Sequence, residues 1–267
     1  MIGAKVIADS ISPMNVRITT MQLCMPRMIL SEFNTHRVFS RNASSSRAIP
    51  TAKMIEQVDK DPFIPVHFGK NQPGMSAREE LTGYAYVIAR DAWLEARRDA
   101  IKSARVMLDA GLHKQICSRV LEPWAWSHVI VTATEWDNFY TLRRHEDAQP
   151  EIKMLADKMA EAASKSTPTS ILHGHWHLPY VQEAEKQQHW GNQSLLRKLS
   201  SARAARVSYL THDQQIPDLI KDIELHDRLL SSSHFSPFEH QAQPGAMGQA
   251  FIRNYKGWNS YRALIGC

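Results

Sequence analysis

The spacing of hydrophobic and polar residues along the chain predicts a mixed α/β protein. Residues 15–23, NVRITTMQL, are rich in β-branched side chains and predict a strand, and residues 128–134, HVIVTAT, predict a second, buried one. Helical periodicity is longest over residues 77–110, which Gly111 ends as a C-cap. The apolar face predicted for that helix consists of Leu81, Tyr84, Ile88, Trp93, Ile101 and Met107. Shorter helices are predicted after Pro26 and over residues 113–121, 135–144, 150–163, 194–208 and 216–230.

Polar or irregular segments separate these elements. The serine-rich residues 35–47 and the segment 61–74 are predicted to be loops, and residues 168–192 form an irregular stretch rich in His, Pro and Trp. The pattern contains no repeat, no low-complexity tract and no linker. We therefore predict a single α/β domain over residues 1–267.

Composition narrows the class of protein only moderately. The chain has 267 residues, 43% of them hydrophobic and 22% charged, which suits a globular protein with a sizeable core. No apolar run approaches the ~18–20 residues of a membrane span, and the first residues lack the layout of a secretory signal, so we expect a cytoplasmic protein. The three cysteines form no C-x-x-C pair, which argues against a disulfide framework and a cysteine zinc site. A net charge of +5 indicates a mild preference for anions.

Three histidines form the one candidate metal site in the sequence. His173, His175 and His177 alternate in ILHGHWHLPYV and would share one face of a strand, where imidazoles are able to bind zinc. No H-E-x-x-H pattern or nearby acidic ligand accompanies them. We therefore favour a hydrogen-bonding or surface role for these residues and predict no bound metal.

The stretch THRVFSRNASSSR, residues 35–47, is the leading candidate for chemistry. The chain contains no Rossmann, P-loop or G-x-S-x-G sequence, so any phosphate must be held by side chains. Serine hydroxyls and an arginine guanidinium donate hydrogen bonds to phosphate oxygens, and residues 44–47 have both. His36 and Arg37 would serve a second anion or a planar ring. A flexible polar loop is the alternative that composition alone leaves open.

The order of these residues, H-R-x-x-S-x-N-x-x-S-x-R, resembles the signature motif of the flavin-dependent thymidylate synthases. Three further blocks resemble that family: ARAARVSY (202–209), HFSPFEH (234–240), and SRVLEP followed by DNFYTLR and AQPEI. The family usually runs R-A-A-R-V-S, P-F-E-H, signature, then helical half. Here the signature and helical half occupy residues 15–165 and the other two blocks follow at 195–240, as in a circular permutation. Residues 241–267 form an extra tail without a counterpart.

The resemblance implies an α+β fold, an antiparallel sheet flanked by helices, assembled as a homotetramer with FAD at subunit contacts. It also implies a reaction. Reduced flavin and methylenetetrahydrofolate deliver a one-carbon unit to C5 of dUMP, and NADPH supplies the electrons. No enzyme cysteine need attack the pyrimidine in this family.

The resemblance also implies roles for individual residues. Those expected at the flavin are His36, Arg37, Asn138, Ser208, His234 and Ser236. Those expected at the nucleotide phosphate are Ser45 and Arg47, the backbone of Ser44 and Ser46, and Arg119, from the same or another subunit. Arg143 would face the pyrimidine and favour its ionised form. Ser208 and Asn138 have an alternative role as helix-terminal hydrogen-bonding residues.

Three positions depart from the family pattern. Thr35 replaces an arginine, Ala43 replaces a glutamate and Glu32 replaces a glutamine. A carboxylate accepts from an exocyclic amine more readily than it tolerates a carbonyl, so Glu32 makes dCMP a conceivable substrate.

Three functions follow, in order of preference. The first is a thymidylate synthase that converts dUMP to dTMP, and the second is 5-hydroxymethylation of dUMP or dCMP at the same kind of site. The third is a nucleic-acid-binding protein, suggested by the charge and the aromatic, basic tail RNYKGWNSYR. A yellow protein that releases flavin on denaturation would favour the enzyme over the nucleic-acid binder.

Overall fold

A five-stranded sheet organises the part of the chain that the computed structural model describes, residues 1–207, 218–246 and 251–266. Its strands are β1 (Gly3–Ile11), β2 (Arg17–Pro26), β3 (Ser40–Ala43), β4 (Trp126–Ala133) and β5 (Thr169–Ser170), in the spatial order β3-β4-β2-β1-β5. The pairs β1–β2, β2–β4 and β3–β4 are antiparallel, and only the short β5 runs parallel to its neighbour β1. The predicted antiparallel sheet flanked by helices is confirmed.

The described helices surround this sheet. They are α1 (Leu30–Phe33), α2 (Thr51–Lys60), α3 (Gly83–Asp109), α4 (Lys114–Cys117), α5 (Asp137–Arg143), α6 (Pro150–Ser164), α7 (Glu183–Gln188), α8 (Gln193–Arg206), α9 (Leu219–Ser231) and α10 (Tyr261–Leu264). Short 3-10 helices cover Arg27–Ile29, Ser118–Trp124 and Ser236–Glu239. Across the described ranges, every helix is too short or too polar to cross a membrane.

Strand alternation gives the sheet one apolar and one mixed face. Met21, Leu23 and Met25 on β2 join Val129 and Val131 on β4 in a buried cluster. That cluster is closed by the apolar face of α6, formed by Ile152, Leu155, Ala156 and Met159. On the opposite face, Ile130 packs against the C-terminal half of α8 through Ala204 and Val207. Side chains alternate along a strand, so β2 presents apolar residues to α6 and the residues between them to the opposite face of the sheet. We call the segments packed on that opposite face, which include α8, the second layer.

The second layer contains a buried chain of hydrogen bonds across the sheet. The His177 ring contacts the Ser10 hydroxyl through Nδ1 at 2.8 Å and the Thr20 hydroxyl through Nε2 at 2.7 Å. Thr20 contacts Thr132 at 2.6 Å, and Thr132 contacts His240 Nδ1 at 2.9 Å. Burial lowers the pKa of His177 and of His240 to about 3. We call these five residues the polar ladder. It fastens two C-terminal segments to the central strands.

The described residues of the tail, 241–246 and 251–266, form much of this second layer. It contributes β6 (Ala242–Pro244), β7 (Phe251–Ile252), β8 (Tyr255–Lys256) and β9 (Trp258–Ser260), of which β6 pairs with β9 and β7 with β8. Trp258 is fully buried beside Ile18, and its Nε1 donates to the Val16 carbonyl at 3.0 Å. Asn254 donates to the Ser40 hydroxyl at 3.1 Å, so the tail reaches the signature strand β3.

Two sequence expectations about local structure are wrong. Residues 40–43 were expected in a loop but form β3. Pairing with β4 satisfies the hydrogen-bonding groups of their backbone, whatever the polarity of their side chains. The long helix begins at Gly83, and Tyr84 and Ile88 on its expected apolar face are 80% and 52% exposed. From Trp93 onward the expected face is packed: Ile101 is buried, and Trp93 and Met107 lie against the same cluster.

Candidate functional site

Arg143 forms the centre of a first group of functional side chains. It is the last residue of α5, and its guanidinium forms an ion pair with Glu32 on α1. Its Nε donates to His36 Nε2 at 2.9 Å, which makes that nitrogen an acceptor and places the ring proton on Nδ1. Burial lowers the pKa of His36, and the charges of Arg143 and Arg41 lower it further. At neutral pH the group therefore combines a cation, a carboxylate and a neutral imidazole.

The loop that carries His36 is fixed by Arg41, a residue to which the sequence analysis gave no role. The Arg41 guanidinium donates to the side chain and carbonyl of Asn34, each at 2.8 Å, and to the carbonyls of His36 and Phe39 at 2.7 and 2.9 Å. The His36 ring also meets the edge of Phe139 with 4.9 Å between centroids. Arg41 and Phe139 therefore orient the imidazole toward Arg143.

The turn 44–47 forms a second group, and its side chains point alternately to two sides. Ser44 is buried; its N–H donates to the His128 carbonyl at 2.7 Å, and its hydroxyl accepts from the His128 N–H at 3.0 Å. The Ser46 hydroxyl donates to Glu122 Oε1 at 2.5 Å. Ser44 and Ser46 therefore attach the turn to the protein, whereas Ser45 and Arg47 face away from this attachment.

Ser45 and Arg47 line an open cavity of about 480 Å³, which we call the front cavity. Its other walls include His113, Lys114 and His234. Lys114 Nζ lies against the turn, where it donates to the Ala48 carbonyl at 3.0 Å. His234 comes from the HFSPFEH block, so this block and the signature meet at one cavity. Sequence reasoning missed His113 and Lys114, although their position just after Gly111 placed basic residues at the start of α4.

Glu122 holds this turn and its arginines together. Its Oε1 accepts from Arg119 Nη1 at 2.8 Å, in addition to Ser46, and forms an ion pair with Arg27 Nε at 3.0 Å. Arg27 also donates to the Ser44 carbonyl at 3.1 Å. Arg119 therefore lies beside the turn of its own chain, and its role at a nucleotide phosphate, in this or another subunit, stays a prediction.

The remaining residues predicted from the sequence make fewer contacts with the Arg143 group or the turn 44–47. Arg37, Asn138 and Ser236 are exposed, and among the described residues no side-chain hydrogen bond joins them to either group. Ser208 lies outside the described residues. The assignment of these side chains to a flavin stays a prediction.

The three histidines of ILHGHWHLPYV do not share a strand face, so that expectation is wrong. Gly174, at φ +87°, turns the chain between His173 and His175. His173 is exposed, His175 stacks on Trp190 with 4.4 Å between centroids, and His177 belongs to the polar ladder. Within residues 1–207, 218–246 and 251–266, no three His, Cys, Asp or Glu side chains are placed to hold one metal ion.

Comparisons with known proteins agree with this architecture. Residues 7–169 match the family model Thy1, described as thymidylate synthase complementing protein. Two solved structures of the UMP/dUMP methylase PolB from Streptomyces cacaoi share the fold. The one bound with 5-Br dUMP is 16% identical, covers 62% of this chain and 91% of its own, and has a TM-score of 0.50. The one bound with 5-Br UMP is 17% identical, covers 62% and 89%, and has a TM-score of 0.51. No curated protein sequence matches the chain.

Proposed function

The chain belongs to the Thy1 family of thymidylate synthase complementing proteins, and from this membership we propose that it transfers a one-carbon unit to C5 of dUMP. The observation that carries the proposal is the front cavity, where Ser45 and Arg47 of the signature meet Lys114 and His234. That set offers a hydroxyl and two permanent cations to one dianionic phosphate. The nucleotides bound by the two Streptomyces cacaoi structures support a pyrimidine monophosphate as substrate.

Arg143 is proposed to face the pyrimidine ring. Its ion pair with Glu32 and its hydrogen bond to His36 orient the guanidinium before substrate binds. A preoriented cation beside the ring stabilises negative charge that develops on the pyrimidine as C5 reacts. Because the pKa of His36 is lowered, the imidazole stays neutral near pH 7 and accepts from Arg143 without repelling it.

FAD is proposed as the cofactor. The exposed donors Arg37, Asn138, His234 and Ser236 fit such a group, because they are guanidinium, amide, imidazole and hydroxyl groups at the surface and able to bind phosphate and ring heteroatoms. When bound, FAD supplies the redox step of the transfer, with methylenetetrahydrofolate as one-carbon donor and NADPH as reductant. The residues of the chain bind and orient these molecules.

A homotetramer with sites at subunit contacts is also proposed. Within one chain, the four-residue strand β3 separates the loop of His36, which contacts Arg143, from the turn 44–47. The two groups of site residues therefore lie at opposite ends of this strand, and residues of a second subunit would complete each of them. The exposed apolar residues Tyr84, Val87 and Ile88 on α3 offer a surface for association. We also propose that the chain is a single domain in which the family blocks are circularly permuted, with the signature and helical half before the other two blocks.

Glu32 supports a second candidate, 5-hydroxymethylation of dCMP or dUMP. Arg143 donates to Oε1 of this carboxylate, and no hydrogen bond to Oε2 occurs among the described residues, so Oε2 is able to accept from the exocyclic amine of a cytosine. Water would then intercept the one-carbon unit before its reduction.

Product analysis tests both candidates. The protein is incubated with dUMP or dCMP, methylenetetrahydrofolate, FAD and NADPH, and the nucleotides are analysed by mass spectrometry. A product that gains one methylene group supports thymidylate synthesis, and one that also gains an oxygen supports hydroxymethylation. Unchanged nucleotides with flavin-loaded protein would contradict both.

A further inference from the structure

A second cavity, of about 550 Å³, lies behind the turn 44–47, and we call it the rear cavity. Its walls come from α2, the end of β2 and the start of β4. Ser44 and Ser46 line it, whereas their neighbours Ser45 and Arg47 line the front cavity. The two cavities are therefore separate spaces on opposite sides of one turn.

The rear cavity has an aromatic and aliphatic wall. Trp124, Trp126, Met54 and Val58 contribute to it. The indole N–H groups are already satisfied, since Trp124 donates to the Trp93 carbonyl at 3.1 Å and Trp126 donates to the Asp61 carbonyl at 2.9 Å. The partly buried Trp126 therefore offers the most carbon surface to a ligand, since Trp124, Met54 and Val58 are at most 7% exposed. The volume lies within the ~300–1,000 Å³ usual for small-molecule pockets.

One cation on the rim is available to a ligand. Arg27 pairs with Glu122 at 3.0 Å, and Lys60 pairs with Glu56 at 2.7 Å. The Lys53 ammonium, by contrast, forms no hydrogen bond or ion pair within the described residues. A ligand with one negative charge would satisfy Lys53, whereas a polyanion would meet the carboxylates of Glu56 and Asp61 on the same rim.

We propose that the rear cavity binds a planar aromatic compound with a single carboxylate or sulfonate group. The ring lies against the indole wall, and the anionic group pairs with Lys53. This site is distinct from the front cavity and does not depend on the reaction proposed above.

Cys24 provides a reporter for this site. It lines the rear cavity, half-buried, with its Sγ 4.0 Å from His128 Nε2. Burial raises the pKa of the Cys24 thiol, so its alkylation is slow and depends on access. Cys117, in contrast, is fully buried. A bound aromatic ligand therefore shields Cys24.

Titration with anilinonaphthalene sulfonate, an aromatic monoanion, tests the proposal. Energy transfer from the cavity tryptophans to the probe should show saturable binding to the full-length protein. Lys53→Met keeps the aliphatic stem but removes the charge, and it should weaken binding about tenfold, the factor typical of one charge-assisted contact. Lys102→Met, at an exposed position on α3, serves as the matched control and should bind the probe as the unaltered protein does.

Alkylation by N-ethylmaleimide gives a second, site-specific readout. Saturating probe should slow modification of Cys24, followed by peptide mass spectrometry, and the protection should shrink in Lys53→Met at the same probe concentration. Equal probe affinity in both lysine variants would locate the probe elsewhere, for example on exposed α3, and overturn the proposal. Unprotected Cys24 at saturation, or displacement of the probe by dUMP, would overturn it as well.

Discussion

At the scale of single residues, the candidate site depends on side chains that hold other side chains. Glu122 accepts from Arg119 and Ser46 and pairs with Arg27, and Arg41 fixes the loop of His36. The sequence motif identified Ser45, Arg47 and His36 as candidate site residues but not these supports. Some of these contacts join residues far apart along the chain: the Ser46–Glu122 bond spans 76 residues and the Lys114–Ala48 bond spans 66, and only tertiary packing brings such residues together. The contacts of Arg41 are local and depend instead on the conformation of its loop.

Arg47→Ala should weaken binding of dUMP about 10- to 100-fold, because one charge-assisted contact to the phosphate is lost. Flavin retention should not change, since Arg47 lies at the front cavity and is not among the proposed flavin residues. Isothermal titration with dUMP and absorbance of the released flavin measure the two effects. Arg105→Ala, an exposed arginine on α3, is the control. Loss of flavin with unchanged dUMP affinity would show that assigning His36 and Arg37 to the flavin and residues 44–47 to the phosphate is wrong.

Glu122→Gln should raise the Kd for dUMP about fivefold, which corresponds to a loss of roughly 1 kcal/mol in binding free energy because the phosphate-binding turn is held less firmly. The amide keeps the shape of the side chain but weakens its bonds to Arg27, Arg119 and Ser46, so the turn 44–47 becomes less ordered. The maximal rate should change less than the KM. Glu146→Gln, 74% exposed, is the matched control. An equal loss in the maximal rate would instead indicate direct contact with the reacting atoms.

At the scale of elements, periodicity predicted most helices and the central strands, and it failed where tertiary contacts override it. The strands β2 and β4 are recognisable because their β-branched and apolar residues fit a buried sheet. The strand β3 is hidden in a polar sequence, and the first turns of α3 carry the exposed apolar residues Tyr84, Val87 and Ile88. The tail has no counterpart in the family blocks, yet it packs on β2 and reaches β3.

Trp258→Ala should therefore destabilise the whole protein by about 3–5 kcal/mol, as expected for a fully buried tryptophan. The substitution leaves a cavity beside Ile18 and removes the hydrogen bond to the Val16 carbonyl. Urea unfolding followed by circular dichroism measures the change. Trp190→Ala, at 62% exposure, should cost about 0.5 kcal/mol or less. Similar costs for both would mean that the tail is not an integral part of the fold.

At the scale of the whole molecule, the polar ladder connects the N-terminal strands to the C-terminal segments. Burial holds the pKa of His177 and His240 at about 3, below their ordinary value near 6.5. Between these values the unfolded chain binds protons that the folded chain does not, so stability falls as the pH falls. The contribution is complete above about pH 6.5 and is lost progressively toward pH 3.

Each of these histidines should add a slope of about 1.4 kcal/mol per pH unit to the free energy of unfolding within that window. His177→Gln removes one such group while keeping a donor and an acceptor, so its stability should depend less steeply on pH than that of the unaltered protein. Urea titrations at about pH 6 and pH 4.5 give the two slopes. His173→Gln, at an exposed position, should leave the slope unchanged. Equal slopes in all three proteins would show that His177 is protonated without unfolding.

The central claim is that the protein reacts at C5 of a pyrimidine monophosphate, and release of tritium from dUMP labelled at C5 tests it most directly. The account predicts that tritium appears in water when FAD, NADPH and methylenetetrahydrofolate are all present and not when methylenetetrahydrofolate is left out, and that Arg143→Ala abolishes the release while Arg105→Ala retains it. Flavin-loaded protein that binds dUMP but leaves the label on C5 would contradict the account.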